Sequence, residues 1–179
     1  FNVRNGGIYY WDQSSGLSTR GVNITSLGGA SDCPTTAAQV LVSDNDQHII
    51  AFGANTLGSA TQDPLLVRWS DQESAADWTP TATNTSGGVR VNSGSVIVGA
   101  VQTRQEILIW TDTSLHSMRF VGAPFVFQFT TLSADVSMIS PNAAVNARGN
   151  VFFMDKTGFY VYNGAVQKPV SYTHLTLPT

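Results

Sequence analysis

The segment from Ser95 to Thr131, SVIVGAVQTRQEILIWTDTSLHSMRFVGAPFVFQFTT, contains four short runs rich in β-branched and aromatic residues. Small clusters of Thr, Gln, Asp, Gly and Pro separate these runs. Runs of this composition, bounded by such residues, are typical of β-strands joined by tight turns. The segment therefore predicts four consecutive antiparallel strands with the sequences SVIVGAVQ, EILIWT, LHSMRFV and FVFQFTT.

The same four-strand pattern occurs on both sides of this segment. Downstream it reads AAVNA, VFFM, FYVY and AVQKPV, and it includes Asn163-Gly164, the strongest type of short hairpin signal. Upstream it reads QVLVS, QHIIAF, LLVRWS and a final segment from Trp78 to Val91. The chain opens with half of another copy, GIYYW and LSTRGVNIT. Third strands thus begin about 40 to 60 residues apart, near the repeat length of β-propellers, at Gly7, Leu65, Leu115 and Gly158.

This repetition predicts an all-β protein with almost no helix. The repeats favour a partial β-propeller, built from four-stranded antiparallel blades over residues 1–170, with about three and a half blades. A β-sandwich is the alternative, because short strands with frequent turns also suit that fold. Propellers typically have four to eight blades, so we expect the chain to be a fragment. The alternating rings at Phe159 and Tyr160 would then pack between neighbouring blades on both faces of a sheet.

Composition argues against several classes of function. Only 12% of the 179 residues are charged, the net charge is −3, and the nine Lys and Arg residues are scattered singly. This distribution disfavours direct, sequence-specific binding to nucleic acid. No run of about 20 apolar residues predicts a membrane span. Cys33 is the only cysteine, so no disulfide can form within the chain. The sequons at Asn23 and Asn84 are interpreted as chance matches, since no signal peptide accompanies them.

The sequence predicts no catalytic, cofactor-binding or metal-binding residue, and therefore no enzyme. Motifs for nucleophilic serine hydrolases, dinucleotides, phosphate loops and zinc proteases are missing from the sequence. His48 and His116 lie at or in predicted strands, where a histidine is usually packed or on the surface. Asp44-Asn45-Asp46 could offer oxygens to calcium, but it lacks the Gly and distal Glu of a calcium loop. A hairpin turn is the preferred interpretation of that tripeptide.

The segment from Arg68 to Pro80, RWSDQESAADWTP, is partly similar to the Asp-box turns of sialidase-type propellers, although it lacks their Gly-x-Thr-Trp ending. A structural loop is predicted here, in which Ser70 and Asp71 bond to backbone amides while two tryptophans pack beneath. A pair of carboxylates for glycoside cleavage is the alternative. The tryptophans are Trp69 and Trp78, and the candidate carboxylates are Asp71, Glu73 and Asp77.

Three long strings resemble segments of propeller proteins from bacteriophage tails, namely the tail hub or nozzle and packaged-DNA stabilisation proteins of short-tailed phages. The resemblance spans residues from Pro64 to Pro169. It implies a structural virion protein that forms a hexameric ring with portal and tail subunits and helps to retain or conduct packaged DNA. The strings are LLVRWSDQESAADWTPTATNTSGGVRV, EILIWTDTSLHSMRFVGAPFVFQFTTLS and VFFMDKTGFYVYNG.

Such a protein would be made in the cytoplasm of a bacterial host, would reside in the virion tail, and would need neither a cofactor nor a membrane. The alternative function is that of a carbohydrate-binding or glycoside-cleaving propeller. The fold alone does not decide between the two.

The last nine residues depart from the repeat. Ser171 to Thr179, SYTHLTLPT, resembles a translated sequencing adaptor, so residues 171–179 are predicted to be a non-native tail in which His174 has no function. A genuine strand through Leu175 and Leu177 is the alternative. We expect deletion of this segment to leave the melting temperature of the remaining fold unchanged.

Overall fold

Residues 1–169 are described by this structure, a computed structural model, and their regular structure is almost entirely β. Strand and bridge residues make up 43% of them and helix 4%. The little helix consists of two single-turn 3-10 helices, Gln13–Ser15 and Ile24–Ser26. The all-β prediction is therefore confirmed.

Within residues 1–169, the strands form one two-stranded ribbon and three four-stranded sheets, all antiparallel. In each four-stranded sheet the strands are hydrogen-bonded in chain order, as in the blade of a propeller. The ribbon contains β1 (Tyr9–Tyr10) and β2 (Val22–Asn23). The first sheet contains β3 (Gln39–Val42), β4 (Ile49–Phe52), β5 (Leu66–Trp69) and β6 (Gly87–Arg90). The second contains β7 (Ile97–Gln102), β8 (Ile107–Thr111), β9 (Leu115–Gly122) and β10 (Val126–Ser133). The third contains β11 (Ala144–Ala147), β12 (Asn150–Asp155), β13 (Gly158–Tyr162) and β14 (Val166–Gln167).

The predicted repeats correspond to these sheets, but several outer strands are shorter than predicted. Of the segment from Trp78 to Val91, only Gly87–Arg90 is a strand. Within the described part of AVQKPV, residues 165–169, only Val166–Gln167 pairs with its neighbour, β13. The rest of the Trp78–Val91 segment forms a loop in which side chains satisfy the backbone, an arrangement that strand patterning does not reveal.

The sheets are stacked face to face, and alternation along the second strand of each sheet explains why. In β8, Ile107 and Ile109 belong to the core shared with the first sheet, whereas Leu108 and Trp110 belong to the core shared with the third. All four side chains are buried. Because successive strand residues point to opposite faces, a continuously apolar strand places hydrophobic groups between two neighbouring sheets.

The first strands of successive sheets lie beside one another. The Gln39 side chain of β3 forms two hydrogen bonds of 2.8 Å with the backbone of Ala100 in β7. Asn146 of β11 donates to the carbonyl of Gln102 in β7 at 2.9 Å. These amide side chains connect neighbouring first strands at the edge where the sheets approach most closely.

The third sheet is covered on one face only among the residues described. Val151, Phe153 and Tyr162 are buried against the second sheet. On the opposite face, Phe159 is 69% exposed, and Phe152 is also exposed. Among residues 1–169, the expected covering of both faces of this sheet is therefore found on one face only.

Two other expectations concern the C-terminal tail and membrane-spanning segments. Val170 and the predicted tail, residues 171–179, lie outside the described residues. Within residues 1–169, no helix has the length and apolar character needed to cross a membrane.

Candidate functional site

The β5–β6 loop has the structural role that its sequence predicts. The Oγ of Ser70 accepts a hydrogen bond from the Ile49 amide at 3.0 Å. Asp71 Oδ1 accepts from the amide and the hydroxyl of Thr85, at 2.8 and 2.7 Å. Trp69 and Trp78 are buried beneath the loop. These contacts confirm the predicted backbone bonding and packing.

The three carboxylates proposed from this loop do not converge on an open site. Asp77 accepts hydrogen bonds from Ser31 Oγ at 2.9 Å and from Asn84 Nδ2 at 3.0 Å. Burial raises the pKa of Asp71, but the hydrogen bonds from Thr85 outweigh it and hold that pKa below its ordinary value. Glu73 lies on the exposed turn of the loop. Asp71 and Asp77 therefore act as hydrogen-bond acceptors that organise the loop.

His48 lies at the centre of a chain of side chains that sequence reasoning did not identify. Its Nδ1 is 2.9 Å from Asp46 Oδ2, and its Nε2 is 2.9 Å from Thr85 Oγ1. Carboxylate, imidazole and hydroxyl follow in the order of a catalytic triad. The hydroxyl donates to Asp71 and accepts from the Gln72 amide, so its single proton is directed at Asp71 and not at His48. His48 is also completely buried. This row of hydrogen-bonded side chains therefore connects two loops and does not expose a nucleophile.

His116 has a similar structural environment. Its Nε2 is 2.8 Å from Ser114 Oγ and 2.9 Å from Ser93 Oγ, and its Nδ1 is 3.2 Å from Thr131 Oγ1. Burial lowers the pKa of His116, which favours the neutral ring. Of the two structural positions predicted for the strand histidines, packed or on the surface, both His48 and His116 take the packed one.

The Asp44-Asn45-Asp46 segment is a turn between β3 and β4, as predicted. Asp46 accepts a short hydrogen bond from Ser43 Oγ, and Asn45 donates to the carbonyl of Arg104 at 3.0 Å. Within the part of the chain that the structure describes, no group of three or more His, Cys, Asp or Glu side chains could hold a metal ion.

A cluster of ionisable groups lies between the second and third sheets, around Glu106. Its Oε1 accepts a hydrogen bond from the Tyr162 hydroxyl at 2.5 Å. Its Oε2 accepts from Arg119 Nε at 3.0 Å and, through a short bond, from Ser117 Oγ. Ser117 and Arg119 are two residues apart on β9 and therefore project from the same face. Glu106 and Tyr162 are buried, so this cluster connects the two sheets from the inside.

The electrostatics of the cluster favour an ionised glutamate beside a neutral tyrosine. Burial opposes the charge on Glu106, but hydrogen bonds from Ser117, Tyr162 and Arg119 hold its pKa below the ordinary value. Burial and the neighbouring Glu106 raise the pKa of Tyr162 to about 12. The hydrogen bond to Glu106 and its negative charge raise the pKa of Arg119. Because three donors occupy the Glu106 carboxylate, it has little capacity to act as a general base.

A cavity of about 250 Å³ opens beside this cluster. The turn between β7 and β8 contributes Arg104, and the β11–β12 and β13–β14 turns of the third sheet contribute Gly149 and Gly164. Glu106, Arg119 and Tyr162 complete the inner wall. Two arginines therefore face one small, polar depression between sheets.

Sequence reasoning missed Glu106 and Tyr162 because each looks like an ordinary strand residue. The only available signal is a lone carboxylate before the apolar run of β8. In the antiparallel register, Ile107 is paired with Met118, which places Glu106 opposite Arg119. This cross-strand pair becomes apparent only when the register is known, and Tyr162 comes from another sheet.

No protein-family model matches the chain, and no curated protein matches it. The likeness to phage tail propellers therefore depends on the three sequence strings alone.

Proposed function

We propose that the chain forms part of a β-propeller that is a structural component of a bacteriophage tail or portal–tail connection. In this role it helps to retain or conduct packaged DNA without reading its sequence, and it binds other tail or portal subunits. The observation that carries the proposal is the resemblance of three strings to phage tail propellers. Each of the strings falls on one of the three stacked sheets, at Leu65–Val91, Glu106–Ser133 and Val151–Gly164.

The propeller part of the proposal is supported by the repeated packing. Each second strand places alternate residues on opposite faces, and in β8 these contact the sheets before and after it. First strands lie side by side, as radially arranged blades require. This arrangement favours a propeller over a sandwich, in which two sheets enclose one core.

The outer face of the third sheet supports continuation of the stack. Phe152 and Met154 on β12 alternate with the buried Val151 and Phe153, just as Leu108 and Trp110 of β8 alternate with Ile107 and Ile109. Phe152 and Phe159 are exposed there, next to the exposed Val145. Adjacent exposed hydrophobic side chains of this size usually mark an interface. A further four-stranded sheet of the same propeller is the occupant we propose for this face.

The structural role is supported by how the polar groups are used. His48, His116, Asp71 and Asp77 are all engaged by protein hydrogen bonds that organise loops. The low content of charged residues suits a ring subunit, because the cores of subunit interfaces are depleted in charge.

Light scattering and electron microscopy on the full-length gene product test this function. We expect a homo-oligomeric ring with a central channel that binds portal or tail subunits. A glycan array and glycosidase assays on the same preparation provide the competing readout. A stable monomer that binds or cleaves a defined glycan would overturn the proposal in favour of the carbohydrate-active alternative.

A further inference from the structure

The cavity beside Glu106 has features that the proposed structural function does not require. Its arginines are unusual in a chain with only nine Lys and Arg residues and a net charge of −3. Arg119 is an ion-pair partner of Glu106, yet its side chain remains 54% exposed. Arg104 forms no ion pair with any residue from 1 to 169. A purely structural ion pair between Glu106 and Arg119 would not need a second arginine on the same wall.

Glu106 holds Arg119 in place through one edge of the guanidinium. The bond runs from Nε to Oε2, and among the described residues the two terminal Nη groups have no hydrogen-bond partner. The arginine is therefore oriented in advance, while the donors best suited to an oxyanion stay unused. Ser117 and Tyr162 also donate to Glu106, so hydrogen bonds from within the protein stabilise its negative charge.

The remaining wall supplies neutral polar groups and space. Asn163 contributes an amide side chain, and the backbone at Gly149 and Gly164 can approach a ligand closely because no Cβ projects there. No atom outside the local chain lies within 4 Å of a Cβ built at either glycine, so the opening is not obstructed. The volume, about 250 Å³, is below that of typical drug-sized sites and suits a small polar molecule.

We propose that this cavity binds an oxyanion, either a carboxylate or a phosphate group, carried by a small polar ligand. The terminal nitrogens of Arg119 contact the oxyanion, and Arg104 neutralises it from the β7–β8 turn. Glu106 is a positioning residue that fixes the guanidinium. An acidic monosaccharide would provide the oxyanion as a carboxylate, and inorganic phosphate would provide it directly.

Titrations of the 179-residue chain with glucuronate, inorganic phosphate and glucose test the proposal by NMR. We expect saturable shifts of the Arg119 Nε signal and of the Gly149 and Gly164 amides with at least one of the two anions. Glucose should cause no comparable shifts. A site for acidic sugar would respond to glucuronate and little to phosphate, and a phosphate site would show the reverse order.

Two variants and a matched control make the test specific. Arg119→Gln should weaken anion binding about tenfold or more, because charge-assisted hydrogen bonds are lost. Arg104→Gln should weaken anion binding by a smaller factor. The Arg104 side chain forms no described hydrogen bond, so we expect this variant to fold, and it still tests the site if Arg119→Gln is unfolded. The control is Arg90→Gln, which removes another exposed arginine whose Nε also bonds to a carboxylate, Asp63, away from the cavity.

The control should bind with unchanged affinity. The proposal is wrong if neither anion produces saturable shifts, if glucose binds as well as glucuronate, or if Arg90→Gln weakens binding as much as the two cavity variants do.

Discussion

At the scale of single residues, buried carboxylates in this protein have hydrogen-bond donors on both oxygens. Asp155, at the end of β12, accepts from Ser137 Oγ at 2.5 Å on Oδ1 and from Thr157 Oγ1 at 2.7 Å on Oδ2. Burial raises the pKa of Asp155, but these bonds outweigh that effect and lower it to about 2. The ionised form is thus bound more tightly by the folded state than by the unfolded chain.

Asp155→Asn is therefore expected to reduce the free energy of unfolding by about 2 kcal/mol at pH 7. A pKa lowered by folding adds stability above the unfolded value and loses it as the pH falls through the folded value. The difference between the two proteins should accordingly be constant above about pH 4 and shrink as the pH falls towards about 2. Urea denaturation at a series of pH values measures it.

Asp44→Asn is the matched control, because Asp44 is exposed and its carboxylate accepts no hydrogen bond from residues 1–169. Its effect at pH 7 should be within about 0.5 kcal/mol. A difference for Asp155→Asn that persists undiminished at pH 2 would contradict the assignment of the carboxylate as the stabilising group.

At the scale of elements, the hairpins depend on turns with left-handed backbone conformations. Arg148 and Gly149 connect β11 to β12 with φ angles of 53° and 86°. Two central residues with positive φ make a type I′ turn, whose twist matches that of the two strands it joins. The turn predicted at Arg148-Gly149-Asn150 is confirmed, and Gly149 provides the conformation at low cost.

Gly149→Ala should destabilise the protein by about 1 kcal/mol, since a Cβ disfavours this backbone conformation. Nothing outside the local chain lies within 4 Å of the added Cβ. The loss of stability therefore comes from the disfavoured backbone conformation and not from a steric clash. Gly28→Ala is the control, because Gly28 also has open space but no left-handed φ.

Chemical denaturation of both variants separates the two effects, and Gly28→Ala should be neutral or slightly stabilising. Equal losses of stability in both variants would argue against a special role for the turn conformation.

At the scale of the whole molecule, stability comes from cores that neighbouring sheets share. One core joins the first and second sheets, and a second core joins the second and third. Trp110 of β8 lies against Phe153 of β12 with ring centroids 5.1 Å apart. Because β8 contributes to both cores, disruption of one should be transmitted to the other.

Phe153→Ala should cost about 3 to 5 kcal/mol, the usual range for removing a buried aromatic ring. We expect hydrogen exchange to accelerate in β4 as well as in β12, because the second sheet contributes to both cores. Phe125→Ala is the control, because that ring is 78% exposed and its removal should have little effect. Loss of protection confined to β11–β14 would show that the third sheet unfolds independently.

The sequence by itself determined the strands, their order and most of their turns. These features are local: runs such as EILIWT carry the alternation of β8, and Arg148-Gly149 and Asn163-Gly164 carry turn chemistry. Repetition of the pattern then indicated sheets that cover one another, because a single small sheet cannot bury both of its faces. The absence of catalytic motifs was also evident, although it did not reveal how His48 and His116 are used.

Only the tertiary structure decided which polar residues meet. Glu106 precedes β8, Arg119 lies on β9 and Tyr162 lies on β13 of another sheet. Asp46, His48 and Thr85 come from two loops that are distant in sequence. It also decided that Tyr162 is buried while Phe159, three positions earlier, is exposed. Local patterning records the alternation of a strand but not the register or the neighbour that each face receives, and those depend on packing between segments far apart in the chain.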